Sequence, residues 1–478
     1  MDMVDWGGRT NHMTGGGGIL TSALRAPAIF DRWSTMGFLA SFLREPILAT
    51  RRLHANNGPF VRLEYPVTSS KRPRYGYAVA DSELLRSMLS ATDCWRNVKI
   101  TFSGLPNHAS KRLGMGMTRL RGARHEHYRK LIATPLKKPA IAAMAPEMAQ
   151  LADDLVRQWP QGMELDLPEH AKALATVLAV GLLFGSDLAR ARPISDLITE
   201  QIAASWFVPS IALARWLSKA NRQEQLIIDW AEEKRGNLDA RDLLSVLVNN
   251  SDENGDLPSR EIIVGTTSFL FGAAYDTCQN ALTWALVLLT QHHEIAERLA
   301  AEIEGALGGN LPTAARLAAL PLLNGVTREA MRLMPPVPLQ FRKSLQPTTL
   351  GGCDIHAGTR VLVSAHLINR NPALYPDPDC FVPDRWLGCN PSAFDYPVFG
   401  AGAHMCPGVT FGYQMMKIAL ATIIARHRVE LAPRARVDYR TAITLAATGR
   451  VGIVLRPHGS SGRGPALTGR FRQIVALP

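Results

Sequence analysis

The segment from Phe399 to Gly408 constrains this chain more than any other. It reads Phe-Gly-Ala-Gly-Ala-His-Met-Cys-Pro-Gly, and an apolar run that can continue as a helix follows it. Its internal glycines permit a tight, irregular turn. Cys406 stands directly before Pro407, and proline favours the first position of a helix. Because backbone N–H groups at a helix N-terminus stabilise a thiolate, this arrangement predicts a metal ligand. The alternative is a buried structural cysteine.

Composition limits the classes of protein that can carry this loop. The chain has 478 residues, is 46% hydrophobic and contains six cysteines, none in a C-x-x-C pair. A disulfide scaffold and a zinc ribbon are therefore not expected. The stretches that lack charge are shorter than the roughly 20 residues of a membrane span, and the N-terminal residues lack the basic-then-apolar order typical of a signal peptide. We expect a cytoplasmic protein without a membrane span.

Hydrophobic periodicity predicts a mainly helical body with a minor β region. Alternation predicts strands at Val61–Tyr65 and Tyr75–Val79, a further strand at Val361–Val363 and a hairpin-like segment around Val451–Leu455. Helical spacing predicts a helix from Glu294 to Leu307 that ends at two glycines. Residues 1–18 are predicted to be a disordered Gly-rich tail, residues 19–457 one domain, and residues 458–478 a basic C-terminal tail.

Positive charge is concentrated in one part of the sequence. The net charge is +12, and the stretch from Lys111 to Lys138 carries nine basic residues against one acid, Glu126. Such a stretch attracts anions or an acidic protein. No interleaved aromatic residues or nucleic-acid motif accompany it, so a nucleic-acid partner is not expected. The basic residues are Lys111, Arg112, Arg119, Arg121, Arg124, Arg129, Lys130, Lys137 and Lys138.

The cysteine segment resembles the F-x-x-G-x-x-x-C-x-G loop of the cytochrome P450 family. Phe399, Gly402, Cys406 and Gly408 match its four fixed positions. The resemblance implies a single triangular, mainly α-helical domain that binds haem b, with Cys406 as the axial thiolate ligand of the iron. It also implies that Phe399 packs beside the sulfur and that Gly408 lets the following helix approach the porphyrin.

Two further motifs follow the family's order along the chain. Glu329 and Arg332 resemble its E-x-x-R element, and Arg385 lies where the family places a third member; we assign all three to support of the fold. Asp276 and Thr277 end a segment that resembles the family's oxygen-binding motif on the long central helix. The alternatives for the last two residues are a solvated helix edge and a threonine that bonds back to its own helix.

The resemblance also implies residues that hold the haem propionates and the substrate. Cationic or hydrogen-bonding partners of the propionates are expected at His125, Arg129, Arg342 and His404. The expected pocket walls are mostly apolar or small, so a largely hydrophobic small-molecule substrate is predicted. These wall residues are Phe271, Ala273, Ala274, Val337, Leu339, Leu445 and Ala446.

The reaction that the resemblance implies is monooxygenation, in which one atom of O2 enters the substrate and the other leaves as water. Thr277 is expected to hydrogen-bond dioxygen, and Asp276 to relay protons. Electrons from NAD(P)H are expected to arrive through a separate acidic ferredoxin or flavodoxin-type partner. Three alternatives stay open: a peroxide-using or rearranging enzyme on the same scaffold, oxidative coupling of the substrate, and a haem-binding sensor without turnover.

Overall fold

The structure of the protein is a computed structural model that describes most of the chain. The predicted Gly-rich segment, residues 1–18, lies outside the described part. The described residues are 26–65, 75–91, 93–98, 104–120, 122–185, 187–204, 211–237, 241–251, 255–441, 443–458 and 464–478.

Helices form most of the described chain, as the periodicity predicted. Those before the central helix are α1 Arg32–Arg44, α2 Pro46–Asn57, α3 Ser82–Ser90, α4 Ala109–Leu113, α5 Gly122–Ala133, α6 Lys138–Val156, α7 Leu167–Phe184, α8 Leu188–Ala204, α9 Ile211–Glu233 and α10 Leu243–Val248. The central helix and those after it are α11 Arg260–Gln291, α12 His293–Leu307, α13 Ala314–Ala318, α14 Pro321–Leu333, α15 Ala365–Ile368 and α16 Val409–Arg426.

The strands form a minor region beside the helices. The largest sheet has the order β1-β2-β3-β9-β6-β4, a second has the order β10-β13-β5, and two pairs, β11-β12 and β7-β8, complete the set among described residues. The strands are β1 Ala28–Phe30, β2 Phe60–Glu64, β3 Tyr75–Val79, β4 Trp95–Asn97, β5 Glu164–Asp166, β6 Leu339–Ser344, β7 Thr348–Leu350, β8 Cys353–Ile355, β9 Arg360–Ser364, β10 Arg428–Leu431, β11 Asp438–Thr441, β12 Leu445–Thr448 and β13 Gly452–Arg456.

Helix α11 is the axis of the main core. It is 32 residues long, and most of its side chains are buried against α7, α14 and α16. Helix α7 has the length and hydropathy of a membrane span, but 61% of that stretch is buried inside the protein. It lies between α6 and α11, so its apolar surface is covered by other helices.

Most local predictions are confirmed. Strands β2 and β3 pair antiparallel with Val61 opposite Ala78. Helix α12 buries Leu299, Ile303 and Leu307 on one face and ends at Gly308 in the left-handed conformation. The hairpin-like prediction at Val451–Leu455 is wrong, because β13 is the middle strand of a sheet whose partners come from distant parts of the chain.

The prediction of a C-terminal tail is wrong for residues 464–478. Phe471 is fully buried and stacks on Trp284 of α11, with 5.5 Å between ring centroids. The carbonyl of Ile474 accepts a hydrogen bond of 2.9 Å from the buried Arg370 side chain. These contacts join residues about 100 to 190 positions apart in the chain, a range over which local composition carries no signal.

Phe471→Ala should lower the free energy of unfolding by about 3–5 kcal/mol, because it removes a fully buried aromatic ring from the core. The shift in the midpoint of urea unfolding measures this loss. Gln473→Ala is the matched control, since Gln473 is exposed two residues further on, and it should change stability by less than about 0.5 kcal/mol. Equal, small effects of both changes would show that the C-terminal segment does not belong to the cooperative core.

Candidate active site

The loop that presents Cys406 is held by its own backbone. Gly400 and Gly402 have φ values of 71° and 68°, which side-chain-bearing residues rarely adopt. The N–H of Cys406 donates to the carbonyl of Phe399 at 2.8 Å, which closes the turn. Helix α16 begins at Val409 with Gly408 as its N-cap, so Pro407 precedes the helix and is not its first residue.

One hydrogen-bond donor and one nearby positive charge act on the sulfur of Cys406. The N–H of Gly408 donates to Sγ at 3.3 Å, and Arg129 contributes positive charge. Both lower the pKa of the thiol, but desolvation by the surrounding protein is larger and leaves the pKa raised above the usual value. The side chain is nevertheless accessible, so the thiol lies in an enclosed recess that a ligand can reach. Stabilising the thiolate there requires a further positive charge, which a bound metal ion supplies.

A buried charge network supports this loop from behind. Glu329 and Arg332 are fully buried, and Arg332 donates to both carboxylate oxygens of Glu329 at 2.9 Å. Arg385 donates to the same carboxylate at 3.0 Å, so the three-residue arrangement predicted from the sequence is confirmed. Trp386 also donates to Glu329 and packs against Tyr396. Tyr396 lies just before the cysteine loop in the chain, and its hydroxyl donates a hydrogen bond to the backbone of α14.

Helix α11 carries Asp276 and Thr277 directly before Cys278, a residue that interacts electrostatically with Cys406. The carboxylate of Asp276 accepts hydrogen bonds of 2.9 Å from Thr444 and from Gln279, and burial raises its pKa. The hydroxyl of Thr277 donates to the carbonyl of Ala273 at 2.7 Å. Both side chains therefore have hydrogen-bond partners in the structure. Thr277 bonds back to its own helix, which is one of the alternatives given in the sequence analysis.

The predicted cationic residues occupy different environments. Arg129, on α5, donates to the carbonyl of Met405 at 2.6 Å and so holds the cysteine loop. His125 lies one turn earlier on the same helix, and burial lowers its pKa. Arg342 is buried on β6 and donates a hydrogen bond to the amide oxygen of Gln340. Burial lowers the pKa of Arg342 to about 10. The side chain of His404 lies outside the described residues.

Three segments predicted to form the pocket converge in the structure. The indole N–H of Trp284, on α11, donates to the carbonyl of Leu445 at 2.8 Å, and the N–H of Leu445 donates to the carbonyl of Pro336 at 3.0 Å. These bonds tie the β11–β12 hairpin to α11 and to the segment after α14. Ala273 is exposed, and three further predicted wall residues are partly exposed, namely Ala274, Val337 and Ala446.

Three predicted wall residues are buried in the structure. Phe271 is fully covered by Phe184 and Tyr275, with ring centroids 5.6 Å and 5.2 Å away. Leu445 has no exposed surface, and Leu339 packs in the small core beneath α1. Phe271 and Leu445 thus belong to the main hydrophobic core.

Sequence reasoning missed three residues that the fold brings to the site. Thr444 holds Asp276 from outside the central helix, and no local motif marks it. Burial on α11 raises the pKa of Cys278, and the charge of the nearby Cys406 raises it further; its place after Thr277 was the one available signal. Trp95 lies in a small recess with Arg342, and its buried indole N–H has no hydrogen-bond partner among the residues that the structure describes.

Known proteins share this arrangement of helices and loop. The family model described as Cytochrome P450 matches residues 30–447. Cyclooctat-9-en-7-ol 5-monooxygenase of Streptomyces melanosporofaciens is 30% identical over 381 residues, which cover 76% of this chain and 82% of that protein. Pentalenene oxygenase of Streptomyces avermitilis is 26% identical, over 84% of this chain and 91% of that protein. The solved structure of the cytochrome P450DA heme domain superposes with a TM-score of 0.75 at 19% identity, over 92% of this chain and 99% of that one.

Fold and cysteine loop together define a haem-thiolate oxidoreductase. The chain belongs to the cytochrome P450 family, and its relatives show that it is a cytochrome P450 monooxygenase.

The residues present fit the haem that this family carries. Arg342 is a buried cation without an ion pair to any acid of the described chain, and a haem propionate would supply the missing negative charge. The unpartnered N–H of Trp95 in the same recess is a second donor for that group. Cys406 would bind the iron, Arg129 lies beside the cysteine loop through its hydrogen bond to Met405, and His125 lies one turn earlier on the same helix.

Cys406→Ala should abolish the strongly red-shifted Soret band that the reduced protein shows with carbon monoxide, because that band requires an axial thiolate. An absorption spectrum of the reduced, CO-treated protein measures it. Cys278→Ala is the matched control, since this cysteine is buried nearby but lies on α11 and is not placed as the ligand. A normal band in the Cys406 variant would contradict the ligand assignment.

Proposed function

We propose that this monooxygenase inserts one oxygen atom of O2 into a largely hydrophobic small molecule, using electrons delivered by a separate protein. The observation that supports the proposal is that Asp276 and Thr277 directly precede Cys278 on α11, and that Cys278 lies close enough to Cys406 to interact with it electrostatically. When bound, haem with a thiolate ligand supplies O2 activation. The protein side chains then have to deliver protons and hold the substrate.

Asp276 has the properties of a proton carrier beside the reacting site. Burial raises its pKa, which brings the protonated form closer to neutral pH. Thr444 and Gln279 hold its two oxygens, so the carboxyl group is fixed next to Thr277. The Thr277 hydroxyl keeps two lone pairs for accepting a hydrogen bond while it donates to Ala273, and rotation about Cβ–Oγ1 redirects its hydrogen.

The substrate proposal rests on the pocket and on the relatives. The partly exposed wall residues are alanines and a valine, which offer few polar anchors. Relatives are named for oxidation of pentalenene and of cyclooctat-9-en-7-ol. We infer that a cyclic terpene is the substrate class, with Val337 and the exposed alanines as its contacts. Hydroxylation and oxidative coupling use the same haem chemistry. Which of the two reactions occurs therefore depends on how the pocket holds the substrate atom that reacts.

The electron donor is proposed to be an acidic ferredoxin or flavodoxin-type protein, with NAD(P)H as the ultimate reductant in the cytoplasm. Helix α5 contacts the cysteine loop through Arg129. The same helix exposes Arg124 and Lys130, and Lys137 and Lys138 follow on the surface. Arg112 of the basic stretch is partly buried and pairs instead with the buried Glu224. The exposed cations next to the loop are the ones that support docking of an acidic partner.

Thr277→Ala should leave haem uptake and substrate binding intact but divert oxygen to hydrogen peroxide, because proton delivery to the reacting oxygen is impaired. Product formed per NAD(P)H consumed should fall about tenfold or more. The assay measures NADPH or NADH, O2, peroxide and product together, with the cyclic terpene that gives the largest ferric spin shift. Turnover driven by added peroxide should suffer less.

Thr283→Ala is the matched control for this experiment. Thr283 makes the same back-bond, to the carbonyl of Gln279 at 2.8 Å, further along α11. Its loss should leave coupling unchanged. A fully coupled Thr277 variant would contradict the role of Thr277, and a wild type that consumes no reducing equivalents with any donor would favour the peroxide-using alternative.

Reversal of Arg124 and Lys130 to Glu should slow reduction by an acidic ferredoxin about tenfold or more at low ionic strength, because electrostatic attraction accelerates association. The effect should shrink with added salt, since screening is already strong beyond about 10 Å at 0.1 M. Stopped-flow reduction measures the rate. Reversal of Arg192 and Arg222, exposed on α8 and α9, makes the same change in charge elsewhere and should have little effect. Equal slowing in both pairs would place the docking surface elsewhere.

A further inference from the structure

Helix α1 is apolar on two opposite faces. Its inner face carries Phe38 and Phe42, whose rings pack 5.6 Å apart in the small core with Leu53. Phe42 also meets Phe341 of β6 edge-on at 6.2 Å. This packing fixes the rotation of α1 about its axis, so the apolar residues on the other face cannot turn inward.

The outer face of α1 is apolar and open. Trp33, Met36, Ala40 and Leu43 lie at i, i+3, i+7 and i+10, which places them on one side of a helix. Trp33 is 87% exposed, Leu43 85% and Met36 47%, and Ile29 in the preceding strand is 64% exposed. We call these four residues together with Ile29 the outer face of α1. A contiguous exposed apolar surface is uncommon on a soluble protein, so this face indicates a binding surface.

Positive charge stands at both ends of this face. Arg32 and Arg44, the first and last residues of α1, are both exposed. The nearby acids are engaged, since Asp31 accepts from the N–H groups that begin the helix and Glu45 pairs with Arg470. The outer face of α1 is thus an apolar strip with a cation at each end.

We propose that the outer face of α1 binds the surface of a bilayer that contains anionic phospholipids. Trp and long apolar side chains enter the headgroup boundary, while arginines at the rim contact phosphates. The helix has 13 residues and is roughly 20 Å long at 1.5 Å per residue, shorter than the roughly 30 Å hydrocarbon core. It therefore lies in the plane of the interface and does not span it.

Charge disfavours a second copy of the chain as the occupant. In an antiparallel pair of α1 helices, Arg32 of one copy meets Arg44 of the other, and in a parallel pair each arginine meets its own equivalent. Either arrangement brings like charges together on an apolar interface, which is destabilising. An anionic lipid surface meets both arginines with opposite charge. The proposal does not depend on the substrate or on the electron donor.

The test is co-sedimentation of the full-length haem-loaded protein with phosphatidylcholine vesicles, with and without phosphatidylglycerol. The wild type should bind the anionic vesicles more tightly. Trp33→Ser with Leu43→Ser should weaken that binding at least about tenfold. Arg32→Gln with Arg44→Gln should weaken it about fivefold per charge and abolish the preference for anionic lipid.

Met163→Ser with Leu257→Ser is the matched control, because these side chains are 63% and 55% exposed on other parts of the surface. It should bind vesicles as the wild type does, and CO-bound spectra should show that every variant is folded. Absence of wild-type binding, or equal binding by the Trp33 and Leu43 variant, overturns the proposal. So does a wild-type dimer, seen by light scattering, that this variant dissociates without vesicle binding. Loss of binding only on deletion of residues 1–25 would assign it to that segment instead.

Discussion

The carboxylate of Glu329 joins the elements that position the active site. It accepts five hydrogen bonds, from the side chains of Arg332, Arg385 and Trp386 and from the backbone of Val382. Removing one partner of such a buried pair generally costs about 3–5 kcal/mol, because the remaining charge is left uncompensated. The network therefore fixes α14 to the segment after residue 378.

From that fixed segment the support continues to the metal ligand. Trp386 packs on Tyr396, whose ring centroid lies 5.1 Å away, and Tyr396 bonds to the backbone of α14. The loop with Cys406 follows directly and is closed by its own backbone bond to Phe399. Across the recess, α11 is held by Trp284, which bonds to the β11–β12 hairpin and stacks on Phe471. Both walls of the active site are thus positioned by buried polar contacts rather than by the loop alone.

Two groups at the site are incompletely compensated by the protein, and they point to the same ligand. Arg342 is buried and pairs with no carboxylate of the described residues, and the desolvation of the Cys406 thiol outweighs the effects of the Gly408 N–H and the Arg129 charge. A prosthetic group that brings both a metal cation and acidic side groups satisfies both, which is why the site suits haem. The outer face of α1 differs from these two groups, because it is an exposed apolar surface and not a buried polar group.

Features that depend on neighbouring residues could be read from the sequence. The glycine-rich turn before Cys406, the E-x-x-R pair, the strands β2 and β3 and the helix that ends at Gly308 all follow from local conformational preference and period. Contacts between residues far apart in the chain became visible only in the folded protein. These contacts place the C-terminal segment in the core, bury Phe271 against Phe184, join Thr444 to Asp276 and pair Arg112 with Glu224. Local pattern cannot contain these contacts, because each depends on how helices and strands that are distant in sequence pack against one another.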